Sequence, residues 1–360
     1  MPVINAAHSI RVLPELRATQ VEQSQVMSPA QTLYFRTNFD LAGTAIPASF
    51  RKTSPFGAIM FILSSRAHVL ELPEPLWVRF LPINVWLGAA WRISGFARLR
   101  NRKARTYAIE NNDPAVVIFG SRAPLKVVKN VGLLAVGLLF RSLYEKVAFG
   151  TDGAATAYLQ LPGSRRVRST VIPAVPAENP AARLITATPG SVVFVGHLDQ
   201  RKGVEALIES WTVIEKSTPK ATLTVIGDGP LKNLMADWAE RAPTSRLFLG
   251  RLAHADAIHV VERASVLVAP SRRHGRWREQ VGLPITEGLA AGLTVVTSSE
   301  TGLAEWLAAH GHYVFDWSTE GSFTDALERA ISSPLNRAAV LDSLPQRHGR
   351  LEADRWIHNG

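Results

Sequence analysis

Residues 191–226 read SVVFVGHLDQRKGVEALIESWTVIEKSTPKATLTVI, and their pattern indicates the fold class. The first apolar run, residues 191–195, ends at a glycine and predicts a buried strand. Residues 203–215 have the spacing of an amphipathic helix, and residues 221–226 predict a second strand. Because short loops join these three elements, they predict a parallel βαβ unit, and with it a parallel sheet covered by helices.

The same alternation continues through the C-terminal half of the chain. Helices are predicted at 231–241, 255–263, 284–291 and 301–309, and they alternate with strands predicted at 246–249, 265–268, 294–297 and 313–315. Residues 173–189 contain four prolines and predict a linker. A chain of 360 residues suggests two domains. We place them at 1–175 and 176–335, followed by a helical tail, 336–360, that could pack back on the first domain.

The N-terminal half is harder to interpret. Its first 30 residues contain neither a glycine-rich phosphate loop nor the apolar core of a signal peptide. The most apolar run, 131–140, is shorter than the about 20 apolar residues of a spanning helix, so a buried or interfacial helix is expected. Further on, strands are predicted at 33–35, 68–72, 106–109 and 170–172, and helices at 56–64, 77–99 and 127–149.

The charge balance favours an anionic partner. The formal net charge is +10 and the pI is about 10.2, which suits a nucleic acid, a phosphorylated substrate or an acidic membrane surface. The chain has no cysteine, which excludes disulfides and thiolate chemistry and suits a reducing cytosol. Zinc-ligand spacings and RNA-binding motifs are missing from the sequence, so no nucleic acid is expected as a partner. Two basic clusters stand out: Arg92, Arg98, Arg100, Arg102, Lys103 and Arg105, and then Arg165, Arg166 and Arg168.

Basic residues follow the strand predicted at 191–195. After Gly196 comes His197, and the loop then brings Arg201 and Lys202 to the start of a helix. Helix N–H groups and two cations together favour a phosphate. The alternative is a solvated loop with two ordinary basic residues. Gly227 follows the next strand and allows a ligand to approach the backbone, although many α/β turns contain such a glycine.

Two glutamates, Glu279 and Glu287, flank a glycine–leucine–proline turn in EQVGLPITE. The N–H groups of Val281, Gly282 and Leu283 can point at ligand oxygens. Because the proline fits the start of a helix, Glu279 is expected in the loop and Glu287 in the first helical turn. Carboxylates at these places suit the hydroxyls of a sugar or a ribose. The alternatives are a surface charge at Glu279 and helix-dipole complementation at Glu287.

These motifs resemble the donor site of family 4 glycosyltransferases. The runs FVGHLDQRKG, VIGDGP, LFLGRL, VLVAPS and EQVGLPITEGLAAG occur in that family's order over about residues 191–315. The resemblance implies an α/β GT-B fold, in which two Rossmann-like domains with parallel sheets face a central cleft. It also implies a nucleotide-diphosphate sugar as donor, retention of the anomeric configuration, and neither a metal nor another cofactor.

The resemblance also implies a role for each matching residue. Lys202, with Arg201 beside it, would hold the donor diphosphate, and Glu287 would bind the ribose hydroxyls. Glu279 would bind the hydroxyls of the transferred sugar, so Lys202 and Glu279 are the first catalytic candidates. The remaining expected contacts are the backbone of Gln280, Val281, Gly282 and Leu283 beside the sugar and phosphate, and Arg251 and Leu252 near the nucleobase.

Two positions depart from the family pattern. His197 stands where the family often has arginine, so diphosphate binding would depend more on Arg201 and Lys202. Glu110 or Asn111 stands where many relatives have a histidine near the donor sugar, which makes Glu110 a third catalytic candidate. The alternative for this segment is a capped turn before a proline.

The resulting prediction is a cytoplasmic, retaining hexosyltransferase. It would move a sugar from a UDP- or GDP-sugar to a glycan or lipid-linked acceptor in polysaccharide or glycoconjugate synthesis. The alternatives are another GT-B enzyme, such as an epimerase or a phosphorylase, and a degenerate transferase-like partner subunit.

A peripheral contact with the inner face of the plasma membrane is a further hypothesis. Aromatic residues interleave with arginines between residues 77 and 98, as in a helix that lies in a lipid interface. The alternative is that these aromatic residues form the core of the first domain. The residues concerned are Trp77, Phe80, Trp86, Trp91 and Phe96, with Arg79, Arg92 and Arg98.

Overall fold

The structure is a computed structural model that describes residues 8–38, 41, 45–98, 102–120 and 125–359. Arg100 and the end of the helix predicted at 77–99 lie outside these residues. The chain divides into two compact units. Unit 1 contains the chain up to Gly150, Ala154–Ile172 and the chain from Arg350, and unit 2 contains Thr151–Gly153 and Pro173–Gly349. The domain boundaries drawn from the sequence stay a prediction.

Unit 1 is built on a parallel sheet. Its strands are β1 (Ser9–Leu16), β2 (Gln31–Thr37), β3 (Phe50–Lys52), β4 (Val69–Glu71), β5 (Ala104–Ala108), β6 (Tyr144–Phe149) and β7 (Arg168–Val171). Its helices are α1 (Ala18–Ser24), α2 (Pro55–Ser64), α3 (Leu81–Phe96), α4 (Pro114–Phe119), α5 (Lys126–Leu143) and α6 (Asp152–Leu159). The strands lie in the order β3-β2-β1-β4-β5-β6-β7, and all their pairings are parallel.

The N-terminal segment without a predicted element forms the centre of this sheet. β1 pairs with both β2 and β4 and contributes Ile10 and Val12 to the core. Arg11 lies between them and is also buried. Its charge is matched by Glu71, 2.7 Å from Nε, and by Asp354, 2.6 Å from a terminal guanidinium nitrogen. A buried arginine is tolerated in a central strand because it is paired in this way.

The prediction of one long helix over 127–149 is wrong for residues 144–149, which form a strand. α5 ends at Leu143, and the chain continues directly into β6, which pairs with β5 and β7. Val147 and Ala148 are buried in the sheet, while Lys146 donates hydrogen bonds to the carbonyls of Trp356 and Asn359. The two charged residues before Val147 made this strand look like the polar end of a helix.

Unit 2 contains a second parallel sheet. Its strands are β8 (Ser191–Val195), β9 (Thr222–Ile226), β10 (Arg246–Gly250), β11 (Val266–Ala269), β12 (Thr294–Ser298) and β13 (Tyr313–Phe315). Its helices are α7 (Val204–Ser217), α8 (Lys232–Glu240), α9 (His254–Arg263), α10 (Leu283–Ala290), α11 (Ala304–Ala309), α12 (Ser322–Ser332) and α13 (Arg337–Asp342). Apolar side chains pack on both faces of this sheet, as burial between two helical layers requires. The elements predicted between 191 and 315 are present within a few residues of their predicted bounds.

The last helix, α14 (Gly349–His358), follows unit 2 along the chain. From Arg350 onward it belongs to unit 1, where Ala353 and Ile357 are buried beside Ala148 of β6. Among the described residues, no helix is both long enough and apolar enough to cross a membrane.

The order of strands in unit 2 locates its functional edge. The order is β10-β9-β8-β11-β12-β13, so the chain builds the sheet outward from β8 in one direction and then from β11 in the other. β8 and β11 are neighbours and pair in parallel. Ligands of such sheets bind beyond the carboxyl ends of the two strands where the order reverses. The loops after β8 and β11 are therefore where a ligand is expected.

Candidate active site

The loop after β8 is held in shape by Asp199. Its carboxylate accepts a hydrogen bond from the backbone N–H of Lys202 at 3.0 Å and pairs with Nε of Arg201 at 2.6 Å. This capped turn leads directly into α7. Asp199 was not singled out in the sequence, although aspartate is a common cap. It fixes the two basic residues at the carboxyl edge of the sheet.

Lys202 reaches across to the loop after β11. Its Nζ forms an ion pair with Oε2 of Glu279, and Ser271 Oγ donates a hydrogen bond to the same oxygen at 2.9 Å. Both charged side chains are largely buried. The structure thus brings together two of the three predicted catalytic candidates, with Ser271 as an additional polar group.

The two loops also approach each other through their backbones. A Cβ on Gly203 would lie 2.2 Å from the carbonyl oxygen of Pro270, and Gly203 has a φ of +73°. Only glycine fits this combination of space and backbone angle. Beside it, the N–H of Arg272 donates to the carbonyl of Arg201 at 2.7 Å. The loops after β8 and β11 are therefore in direct backbone contact.

Trp277 is a site neighbour that the sequence did not reveal. The guanidinium carbon of Arg201 lies 4.7 Å from its ring centroid, and Nζ of Lys202 lies 5.1 Å away. A short turn holds the tryptophan, since its N–H and carbonyl both bond to the backbone of His274. The negative face of the ring partly compensates two like charges held close together.

The second glutamate lies deeper in its helix than predicted. α10 begins at Leu283, so Glu287 is in the second turn, and the expected position in the first turn is wrong. The first turn of α10 contains no acidic residue, which removes the dipole explanation for Glu287. Gly282, with a φ of +81°, precedes the helix, and a Cβ there would lie 3.6 Å from the carboxyl carbon of Glu279. The start of α10 thus adjoins the Glu279 carboxylate.

Glu287 faces the loop after β10. Its Oε1 lies 2.8 Å from Nε2 of His254, the first residue of α9. The His254 side chain is 74% exposed, whereas Glu287 is largely buried. No motif in the sequence indicates this pair, because its partners lie 33 positions apart. Glu287 is thus oriented by a group that a ligand can displace.

The other predicted contacts lie in the same set of loops. Arg251 is exposed and Leu252 is half-buried directly after β10, and the N–H of Gly227 donates to the carbonyl of Gly250 at 2.9 Å. His197 is exposed in the loop after β8. In the turn before α10, Gln280 and Val281 are half-buried and Leu283 is exposed.

Glu110 lies in unit 1, directly after β5. Its N–H donates to Oε2 of Glu74 at 3.0 Å, and its own Oε1 accepts a hydrogen bond from the N–H of Asn112 at 3.0 Å. Burial, together with the nearby charge of Glu110, raises the pKa of Glu74 to about 7. Asp113 caps α4 through the N–H of Ala115, and Asn111 is buried. Residues 110–113 therefore form a capped turn, and the carboxyl group of Glu110 interacts with that of Glu74.

Comparison with known proteins identifies the segment that contains the Lys202–Glu279 pair. Residues 177–343 match the family of glycosyl transferases group 1. Glycogen synthase from Mycobacterium tuberculosis is 33% identical over 127 residues, which are 35% of this chain and 30% of that protein. The chain therefore matches less than a third of the length of this curated relative.

Solved structures match nearly the whole chain. HepE from Anabaena in complex with UDP has a TM-score of 0.67 and 14% identity, over 97% of this chain and 98% of that one. The lipopolysaccharide outer core galactosyltransferase WaaB, in its apo form, has a TM-score of 0.68 and 10% identity, over 97% and 98%. At this identity the likeness concerns the fold, and it confirms the predicted GT-B class with two Rossmann-like units. The match of residues 177–343 to the glycosyl transferases group 1 family covers the segment that holds the predicted donor-site motifs and agrees with the resemblance to a glycosyltransferase family.

Proposed function

We propose that this protein is a retaining glycosyltransferase that transfers a sugar from a UDP- or GDP-sugar to a glycan or lipid-linked acceptor. Unit 2 binds the donor, with the diphosphate at Lys202 and Arg201. Glu287 binds the ribose, Glu279 binds the transferred sugar, and the loop with Arg251 and Leu252 lies beside the nucleobase. No metal and no other cofactor takes part.

The observation that carries this proposal is the ion pair between Lys202 and Glu279. It joins the loops after β8 and β11, the two strands at which the sheet order reverses. A cation for phosphate and a carboxylate for hydroxyls are thus adjacent at the edge where α/β sheets bind ligands. A nucleotide sugar matches this arrangement, because its diphosphate is bonded directly to the sugar that carries the hydroxyls.

The proposed chemistry depends on stabilising the leaving group. As the bond between sugar and phosphate breaks, negative charge grows on the diphosphate. Lys202, Arg201 and the N–H groups at the start of α10 supply fixed positive charge and dipoles for it. Removing one such donor from an active site typically costs about 3–4 kcal/mol of transition-state stabilisation.

The carboxylates of unit 2 serve as hydroxyl acceptors in this proposal. Glu279 is held by Lys202 and Ser271, and Glu287 is held by His254, so each is oriented by its partners. Neither is proposed to attack the anomeric carbon. The departing phosphate oxygen instead accepts the proton of the acceptor hydroxyl on the same face of the sugar, which retains the configuration.

UDP is the first nucleotide to examine. HepE was solved with UDP and with UDP-glucose, and it shares the fold of this chain over 97% of its length. That ligand belongs to the relative, and it supports a uridine donor here only through the common fold. The acceptor belongs to unit 1, and a lipid-linked acceptor would bring the protein to the inner face of the plasma membrane.

A turnover assay tests the proposal. Purified protein is incubated with UDP- and GDP-sugars and a panel of glycan and lipid-linked acceptors in the presence of a metal chelator. Free nucleotide is measured, and the anomeric configuration of the product is determined by NMR. We expect nucleotide release that depends on acceptor, survives the chelator and retains configuration. An inverted product or a requirement for metal would contradict the mechanism, and the absence of turnover with every pair would favour the degenerate-subunit alternative.

A further inference from the structure

Three helices of unit 1 are apolar on two opposite sides. Their inward residues, among them Ile62 of α2, Trp91 of α3 and Phe140 of α5, belong to one core cluster. α3 contacts both α2 and α5, so the three helices form one layer. The outward side of this layer is nevertheless apolar and exposed: Phe56 and Met60 on α2, Trp86, Ile93 and Phe96 on α3, and Val127, Val131, Leu134 and Leu138 on α5. We call these nine residues the apolar face.

The spacing of the apolar face is regular. On α5 its members are four, three and four positions apart, which is the period of a single stripe along a helix. On α3, Trp86, Ile93 and Phe96 follow the same period. Trp86 is 67% exposed and Phe96 is 84% exposed, so neither is a core residue at the rim of a helix. An exposed apolar surface this broad is typical of a binding face.

The aromatic residues singled out in the sequence divide between the core and this face. Trp91 and Phe80 are buried, and the guanidinium of Arg102 lies 4.4 Å from the Trp91 ring centroid, so the interfacial hypothesis is wrong for these two. Trp86 and Phe96 point outward, and Trp77 is also exposed. The apolar face therefore contains two of the five predicted aromatics, Trp86 and Phe96, and adds residues of α2 and α5.

The charge on and beside the apolar face is mostly basic. Residues 41–70, 75–109 and 114–144 hold 14 lysines and arginines and no aspartate or glutamate, and the two short segments between them hold Glu110, Asp113 and the buried Glu71 and Glu74. Among them, Arg92, Arg98 and Lys126 are exposed on or beside α3 and α5. A second copy of this chain seated on the face would bring two basic surfaces together, and like charges would oppose that contact. An anionic bilayer supplies apolar chains for the stripe and negative headgroups for its basic rim.

We propose that the apolar face of α2, α3 and α5 docks unit 1 on an anionic lipid bilayer. The helices lie on the surface, since none of those described is able to span it. The inference deepens the proposed function, on which it rests only for the presence of a lipid-linked acceptor. The docking itself depends on unit 1 alone, so it can fail while donor binding in unit 2 remains intact.

Vesicle flotation of the full chain tests the docking. The probes are vesicles of phosphatidylcholine alone and of phosphatidylcholine mixed with phosphatidylglycerol. We expect binding to the mixed vesicles that weakens with salt, and at least a tenfold loss in Trp86→Glu/Phe96→Glu. The control is Leu184→Glu/Leu234→Glu, which adds the same two charges at exposed apolar positions of unit 2 and should bind as the wild type does.

Three results would overturn the proposal. One is an absence of binding to the mixed vesicles at low salt, and another is equal binding by the Trp86→Glu/Phe96→Glu variant. The third is a wild-type dimer in sedimentation velocity that this variant dissociates, because a second copy would then cover the face. Nucleotide binding by calorimetry is measured on the same samples. If it is retained in the variant, unit 2 is folded, and unchanged hydrogen exchange in unit 1 shows that unit 1 is folded too. A failure of docking is then separate from a failure of the donor site.

Discussion

Lys202 and Glu279 form an ion pair that links the loops following β8 and β11, although they are 77 positions apart in the chain. The pair has two consequences for a ligand. A diphosphate would compete with Glu279 for the ammonium group, and a sugar hydroxyl would compete with Lys202 for the carboxylate. Each residue therefore has a distinct effect on the binding of nucleotide and of nucleotide sugar.

Glu279→Gln should separate these two effects. The amide keeps the size of the side chain but loses the charge that competes for Lys202. We expect the affinity for UDP or GDP, whichever binds, to stay the same or to rise. Turnover of the sugar nucleotide should fall about a hundredfold, which corresponds to a loss of about 3 kcal/mol of transition-state stabilisation. Calorimetry and the turnover assay measure the two quantities.

The converse substitution is Lys202→Gln, which should weaken nucleotide and nucleotide sugar alike, by about 1.5–3 kcal/mol, the usual value of a hydrogen bond to a charged group. Its control is Lys232→Gln, because Lys232 is an exposed lysine of unit 2 that pairs only loosely with Asp228, at 3.8 Å. Equal losses in the two lysine variants would mean that net charge, and not the position of Lys202, binds the phosphate.

Gly282→Ala should damage the donor site more than it damages the fold. The added Cβ would lie 3.1 Å from Ile285 and 3.6 Å from the carboxyl carbon of Glu279, where the ligand is expected. Gly321→Ala is the matched control, since Gly321 also has a positive φ, +75°, but its Cβ would meet open space. Gly321→Ala should lose about 1 kcal/mol of stability and Gly282→Ala more, because the ψ of Gly282, 100°, lies outside the left-handed region. Only Gly282→Ala should lose nucleotide binding. Loss of binding in both, or in neither, would contradict the proposed position of the ligand.

Glu74 should make the stability of unit 1 depend on pH near neutrality. Burial and then the charge of Glu110 raise its pKa to about 7, against about 4.3 in an unfolded chain. Between these two values the folded state keeps a proton that the unfolded state has lost, so the free energy of unfolding falls as pH rises. Glu74→Gln retains an acceptor for the three groups that bond to Glu74, the N–H groups of residues 109 and 110 and the Tyr158 hydroxyl.

The free energy of unfolding is measured for the wild type and Glu74→Gln in denaturant between pH 5 and pH 8, and hydrogen exchange reports on unit 1 specifically. We expect the free energy of unfolding of the wild type to fall by up to about 3 kcal/mol more than that of the variant over this range. Two parallel stability curves would show that Glu74 does not change its protonation on unfolding.

Arg11→Met should destabilise unit 1 strongly. Arg11 is buried between Glu71 and Asp354, so its removal leaves two buried carboxylates short of a partner. Breaking a buried pair in this way typically costs about 3–5 kcal/mol. Arg183→Met is the control, because Arg183 pairs with Glu178 and Asp342 at a more exposed place, where solvent screens the pairs and their loss should change stability little.

The same cluster gives a pH signature in the acid range. Burial alone would raise the pKa of Glu71, but Arg350 and Arg11 outweigh it and hold the pKa at about 2. This contribution to stability is complete above the unfolded value of about 4.3 and is lost as pH falls toward 2. In Arg11→Met the folded-state pKa of Glu71 should rise, so the loss should be smaller and should be complete at a higher pH. An unchanged acid transition would indicate that Arg350 alone sets the charge of Glu71.

The fold of unit 2 could be predicted because its buried strands are almost purely apolar. VVFV, LTVI, VLVA and TVVT need no distant partner to be recognised as strands. β1 could not be predicted, since Arg11 and Glu15 interrupt its pattern and the groups that neutralise Arg11 lie 60 and 343 positions away. The end of α5 was missed for the same reason, because the buried Lys146 of β6 bonds to the last residues of the chain.

The candidate site was predicted to a similar extent. Lys202 and Glu279 were identified from their motifs, and their contact follows from the order of the strands. Trp277 and His254 were not identified, since neither belongs to a motif and both meet their partners only through the fold of the loops. Asp199 acts through a local cap and could have been recognised from its position before a helix.

Unit 2 is proposed to bind the nucleotide part of a sugar donor, with Glu287 at the ribose. Calorimetric titration of the wild type and Glu287→Ala with UDP and with GDP measures this binding. We expect micromolar affinity for one of the two nucleotides and at least a tenfold weaker affinity in the variant, about 1.4 kcal/mol. If neither nucleotide binds the wild type, or the variant binds as tightly as the wild type does, the proposed donor site is wrong.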